Sequence, residues 1–226
     1  MRNLRIKIFL YSLIVASSSG LSIGCHTFDK TQQGASIGAG TGGIVGAFIG
    51  KTAGNTAMGA IIGGAVGGTA GAFIGRNMDM QAAEIQQTVP GATVIREGEG
   101  IIVKFDSGIL FDAGKADIKQ DAETNLKNLA SSLQKNAETN ILIIGHTDNA
   151  GTQQDNIDLS VHRASSVKNY LLNDGIEGSR MRIDGKAATE PIADNSTEAG
   201  RAQNRRVEIV IVANNKMKKQ AQESGG

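Results

Sequence analysis

At 226 residues the chain exceeds one average domain, and it is unevenly built: its first third is dense in glycine and the remainder has an ordinary mixed composition. The formal charge is +1; because Arg2, Arg5 and Lys7 fall in residues 1–24 without any acid, the rest holds 20 basic against 22 acidic side chains, and no electrostatic case for a nucleic-acid partner arises. One cysteine, Cys25, excludes an intrachain disulfide and a Cys-based zinc site.

The chain opens with Arg2, Arg5 and Lys7, an apolar stretch from Ile8 to Ala16, and small residues leading to Leu21-Ser22-Ile23-Gly24-Cys25. A basic start, an apolar middle and a small-residue end spell a secretory leader over residues 1–24. Its end resembles the lipobox of bacterial lipoproteins, with Ser22 where that family usually has leucine. The resemblance implies that Cys25 carries acyl chains and becomes the first mature residue. His26 follows it in place of the Asp that retains such lipoproteins at the inner membrane, so outer-membrane delivery is expected. Several chains on one N-terminus, at about 0.8 kcal/mol per buried methylene, make a permanent anchor. A buried core cysteine is the competing reading, disfavoured by the polar stretch from His26 to Gln33.

Residues 25–33 read as a short linker. Glycine then recurs every fourth residue at Gly34, Gly38, Gly42, Gly46, Gly50 and Gly54, and again at Gly59, Gly63, Gly67, Gly71 and Gly75. That spacing marks one helical face, and the break near Lys51 and Asn55 suggests two helices joined by a turn over residues 34–76. Glycine costs an isolated helix about 1 kcal/mol relative to Ala, so such ladders suit close backbone packing of the kind found in membranes. Ile37, Ile44, Phe48, Ile61, Ile62, Val66 and Phe73 would supply the outer surface. The segment resembles the glycine zippers of some outer-membrane lipoproteins; insertion, lying flat and homo-oligomerisation all stay open. A flexible Gly/Ala linker is the alternative.

Residues 77–99 read as a short helix or linker, with a turn at Pro90-Gly91, leading into a strand pair around Glu97-Gly98-Glu99-Gly100. Ala122, Leu126, Leu129 and Leu133 place one apolar stripe on a helix from about Gln120 to Lys135. Ile141–Ile144 and Val207–Val212 suit buried strands, and Ala164, Val167 and Leu171 define a second core-facing helix. The order β-α-β-α-β predicts a two-layer α/β sandwich. The tail, residues 214–226, is expected to be disordered.

Gly145-His146-Thr147-Asp148, Asn156, Leu159-Ser160, Arg163-Ala164 and Gly200-Arg201-Ala202-Gln203-Asn204-Arg205-Arg206-Val207-Glu208-Ile209 follow the order and spacing of the OmpA-like peptidoglycan-binding domain. The resemblance covers about residues 100–213. It implies a sheet backed by helices, of OmpA C-terminal type, that binds the diaminopimelate of the peptidoglycan stem peptide through Asp148 and Arg163, with Asn156, Thr147 and Arg206 near the site. The chemistry is consistent: diaminopimelate ends in an ammonium and a carboxylate, which need an acceptor and a planar donor fork. Taken singly, Asp148 reads as a turn residue and Arg163 as a solvated helix residue; Arg201 and Arg205 read as braces of the fold.

An enzyme is the poorer reading. His146 and Asp148 lie two apart, but no second histidine has ligand spacing, and no serine sits in a Gly-x-Ser-x-Gly elbow. His146 is expected in the core or pocket wall, with no cofactor and no metal. The expected protein is a periplasm-facing tether between outer membrane and wall. A pore or assembly component built on the glycine ladders is the alternative, and a wall hydrolase the third.

Overall fold

The computed structural model describes residues 55–62 and 68–224. The leader, Cys25 and the first glycine ladder lie outside them. The elements are α1 (Thr56–Ile62), α2 (Gly68–Thr88), β1 (Thr93–Glu97), β2 (Gly100–Asp106), α3 (Ser107–Leu110), α4 (Gln120–Lys135), β3 (Thr139–His146), α5 (Gln153–Asn173), a 3-10 turn (Gly178–Arg180), β4 (Met181–Ala187), α6 (Glu198–Asn204), β5 (Arg206–Ala213) and α7 (Asn215–Ser224).

The strands form one sheet in the order β1-β2-β5-β3-β4. β1 with β2, β2 with β5 and β5 with β3 run antiparallel; β3 with β4 runs parallel across the α5 crossover. Period-2 alternation divides the buried strands between two faces. Ile101, Val103, Phe105, Ile141, Ile143, Val207, Ile209 and Ile211 turn to the main core, where Leu126, Leu129 and Leu133 of α4 and Val167 and Leu171 of α5 meet them. Ile102, Leu142, Ile144 and Val210 turn to the other face and pack with Ala57, Ala60 and Ile61 of α1. The two-layer α/β sandwich holds, with one short helix added on the outer face.

Three expectations are corrected. β4 joins the sheet although its Met-Arg-Ile-Asp-Gly-Lys-Ala sequence lacks an apolar run: it is an edge strand, buried at its two ends and part-exposed between. Residue 76 is no boundary, because α2 runs unbroken through it to Thr88. Ala70, Ile74, Met78, Ala82 and Ile85 form the stripe that α2 turns into the main core, and Val89 just beyond it follows them, so residues 77–88 belong to the folded body. The tail is ordered as well: α7 covers residues 215–224 and buries Met217 and Ala221 against that core. Its lysines mask the signal, since two apolar residues four apart suffice for one helical face. A fourth correction concerns the second ladder, of which Gly59, Gly71 and Gly75 are described and lie on α1 and α2: Ile61 is buried on the sheet and Phe73 packs against the core instead of forming an outer surface.

Candidate functional site

Asp148 follows the end of β3 and Arg163 lies on α5, and two close approaches hold that helix against the sheet. Gly145 of β3 runs so near α5 that an added Cβ would collide with the backbone carbonyl of Ser160, and a Cβ at Gly185 of β4 would meet Val161 and the Ser160 hydroxyl. Two neighbouring strands without side chains therefore let α5 settle onto the sheet. Thr152 caps α5 by accepting from the Asp155 N–H at 3.1 Å. One turn further Asn156 faces inward, and two turns after that Arg163 does, both buried.

The loop leaving β3 is held from several sides. The Thr147 N–H donates to the Ala187 carbonyl at 2.9 Å, where Ala187 takes φ +47° at the irregular end of the β3–β4 pairing. Thr147 Oγ1 donates to the Asp148 carbonyl at 2.9 Å. Asp148 Oδ1 accepts from the Ala150 N–H at 3.0 Å, and Asn156 Nδ2 donates to the Ala150 carbonyl at 2.8 Å. Asn156 thereby holds the loop that carries Asp148.

Arg163 is 3 % exposed. Its Nε donates to the Lys115 carbonyl at 3.0 Å, and its guanidinium lies 5.2 Å from the centroid of the Phe111 ring. Its Nη1 has no protein acceptor. Burial makes this guanidinium hold its proton less firmly than a free arginine; the Arg205 cation adds to the effect and the Asp148 carboxylate opposes it. The result is a charged donor, rigidly aimed, with hydrogen-bonding capacity left over beside a carboxylate.

Arg205 and Arg206 exchange their expected parts. Arg205 Nη1 donates to Asp148 Oδ2 at 2.6 Å and Nη2 to Glu198 at 2.8 Å, and these hydrogen bonds hold its pKa up. Arg206 is fully buried, with its guanidinium on Glu208 Oε1 at 2.7 Å and on the carbonyls of Asn204 and Glu190. It does not join Asp148 and Arg163. Consecutive residues at a strand start point to opposite sides, and which of two adjacent arginines faces the β3–α5 loop is set by the register of β5. The sequence signal, the Arg-Arg pair, was present but two-valued.

His146 is a core residue, as expected. Burial pushes its pKa down to about 3, with the Arg206 and Lys186 cations adding to the shift. Its Nε2 lies 3.8 Å from Glu208 Oε2, too far for a hydrogen bond, and a neutral imidazole forms no ion pair.

An OmpA-type sheet with this loop and helix defines the class, and comparison with known proteins agrees. The OmpA family model matches residues 110–205, and the YMGG-like Gly-zipper model matches residues 4–79. The protein named probable lipoprotein YiaD of Escherichia coli (strain K12) is 34 % identical over 213 residues, spanning 91 % of this chain and 97 % of that one. The chain belongs to the OmpA family and carries a Gly-zipper segment ahead of the OmpA-like domain. Among solved structures, a MotB-like protein from Desulfovibrio vulgaris is similar at 25 % identity with TM-score 0.58, over 62 % of this chain and 93 % of that one. The cell wall anchor of the T6SS from Pseudomonas aeruginosa is similar at 28 % identity with TM-score 0.54, over 60 % and 96 %.

Proposed function

We propose that this protein is an outer-membrane lipoprotein that binds peptidoglycan without turning it over, through the diaminopimelate end of a stem peptide. The observation that carries the reading is the buried Arg163 guanidinium, with Nη1 lacking a protein acceptor and its charge favoured by the Asp148 carboxylate. The diaminopimelate carboxylate takes the free edge of Arg163 as a charge-assisted acceptor. Its ammonium donates to Asp148, competing with Arg205 for Oδ2. Thr147 and Asn156 act by holding the loop that presents Asp148.

A crosslink through the diaminopimelate amine would remove the charge offered to Asp148, so uncrosslinked stems bind better than crosslinked ones. The relatives support the wall as target: one is named as a cell wall anchor and another as a lipoprotein. Acyl chains on Cys25 hold the other end in the outer membrane, with the domain in the periplasm. Metabolic labelling with a fatty acid, lost on Cys25→Ser, tests that attachment.

The site is tested by sedimentation with purified peptidoglycan and by calorimetry with free diaminopimelate. Asp148→Ala and Arg163→Ala each weaken binding by about 10- to 100-fold, or roughly 1.4–2.8 kcal/mol, with the circular dichroism of the wild type. Unchanged binding by both folded variants would overturn the assignment.

A further inference from the structure

The described glycines of the second ladder, Gly59, Gly71 and Gly75, sit on helices that already lie against the chain's own domain. α1 lies on the outer face of the sheet. Ala57 and Ile61 are buried there among Ile102, Leu142, Ile144 and Val210, and the ladder residue Gly59 is buried with them. At the start of α1, the Thr56 N–H and hydroxyl donate to the Glu190 carboxylate at 3.0 and 2.6 Å. At its end, Ile61 fills the space that side chains would take at the β1–β2 turn: a Cβ at Gly100 would lie 2.5 Å from Ile61 Cγ1, and one at Gly98 3.3 Å from Ile61 Cγ2.

The ladder glycines of α2 continue the same grip. A Cβ at Gly71 would meet Glu99 Oε1 at 2.7 Å, and one at Gly75 would meet Arg96 Nη2 at 3.7 Å. Arg96 then ties the parts together, donating to the carbonyls of Gly75 at 3.2 Å and Gly100 at 2.9 Å and pairing with Asp79 at 2.8 Å. The β1–β2 hairpin thus receives Ile61 at Gly98 and Gly100 and reaches Gly71 and Gly75 through the Glu99 and Arg96 side chains.

We infer that α1 and the start of α2, which carry Gly59, Gly71 and Gly75 of the second glycine ladder, are a clamp on the β1–β2 hairpin and outer sheet face of the wall-binding domain, docked there with the chain anchored at a membrane, and are not bilayer-inserted or self-associating helices. The same small-residue face cannot serve two partners at once.

The test uses the full mature chain in vesicles of phosphatidylethanolamine and phosphatidylglycerol. Ile61→Cys with Gly100→Cys brings two Cβ atoms to disulfide range, read as a linked peptide by mass spectrometry so that Cys25 is told apart. The expected result is efficient linkage in vesicles as in detergent, and none for Ile61→Cys with Lys168→Cys on α5. Linkage absent from vesicles overturns the inference. A second measurement does not depend on tolerance of the cysteines: amide hydrogen exchange of residues 57–61 in vesicles. Glu190→Ala accelerates it on the order of tenfold if the domain protects this helix, with peptidoglycan binding retained. No acceleration means that something other than the domain shields α1 and overturns the clamp.

Discussion

Arg205 and Asp148 form a pair whose members differ in setting: the carboxylate side chain is 10 % exposed and the guanidinium 34 %. Truncating the arginine leaves Asp148 Oδ2 without its partner in a mostly buried place, and solvent access on the arginine side limits the cost. Arg205→Ala is therefore expected to lower stability by ~1 kcal/mol, and Arg205→Lys by less, in urea unfolding. His146 acts through its proton. Its folded pKa of about 3 lies below the ordinary 6.5, so between those values the unfolded chain binds more protons than the folded one. Stability from this residue falls as pH drops through that window, with a limiting slope of about 1.4 kcal/mol per pH unit. His146→Phe, of similar volume and without a titrating group, should flatten the acid limb of stability measured from pH 4 to pH 7. An equal slope in both proteins would show that other groups dominate.

At the scale of elements, the site depends on how closely α5 approaches β3. Gly145→Ala drives a Cβ into the Ser160 carbonyl, a backbone atom that cannot step aside without moving the helix that carries Arg163. A destabilisation of about 3 kcal/mol follows, and the surviving folded fraction should bind the wall more weakly, a coupling visible when melting and sedimentation are measured together. α7 offers a contrasting case. Met217 is 5 % exposed and packs against the main core far along the chain from the ligand loop. Met217→Ala should cost roughly 2 kcal/mol in thermal unfolding without changing affinity for peptidoglycan.

For the whole molecule, the folded body begins earlier and ends later than the OmpA-like region that the family model covers. Ile74, Met78 and Ile85 of α2 and Val89 just after it, with Met217 and Ala221 of α7, share one core with the strands. A fragment of residues 90–213 lacks all of them and exposes their partners, whereas residues 68–224 keep the core whole. The shorter fragment is expected to melt about 10 °C lower, on a net loss of about 3 kcal/mol. Equal melting temperatures would mean that α2 and α7 are appended and do not stabilise the domain.

Local pattern determined the helix stripe Ala122-Leu126-Leu129-Leu133 and the buried strands Ile141–Ile144 and Val207–Val212, because each is written in short-range periodicity or one apolar run, and the family resemblance singled out Asp148 and Arg163. It also marked the second glycine ladder as a packing face. Tertiary structure decided what that face packs against, since a row of glycines states that something comes close and not what. It likewise decided which of Arg205 and Arg206 reaches Asp148, a matter of strand register, and it drew α2, β4 and α7 into the fold. Their apolar residues are too few or too interrupted to declare themselves, and they are buried only because a surface made from distant parts of the chain is there to receive them.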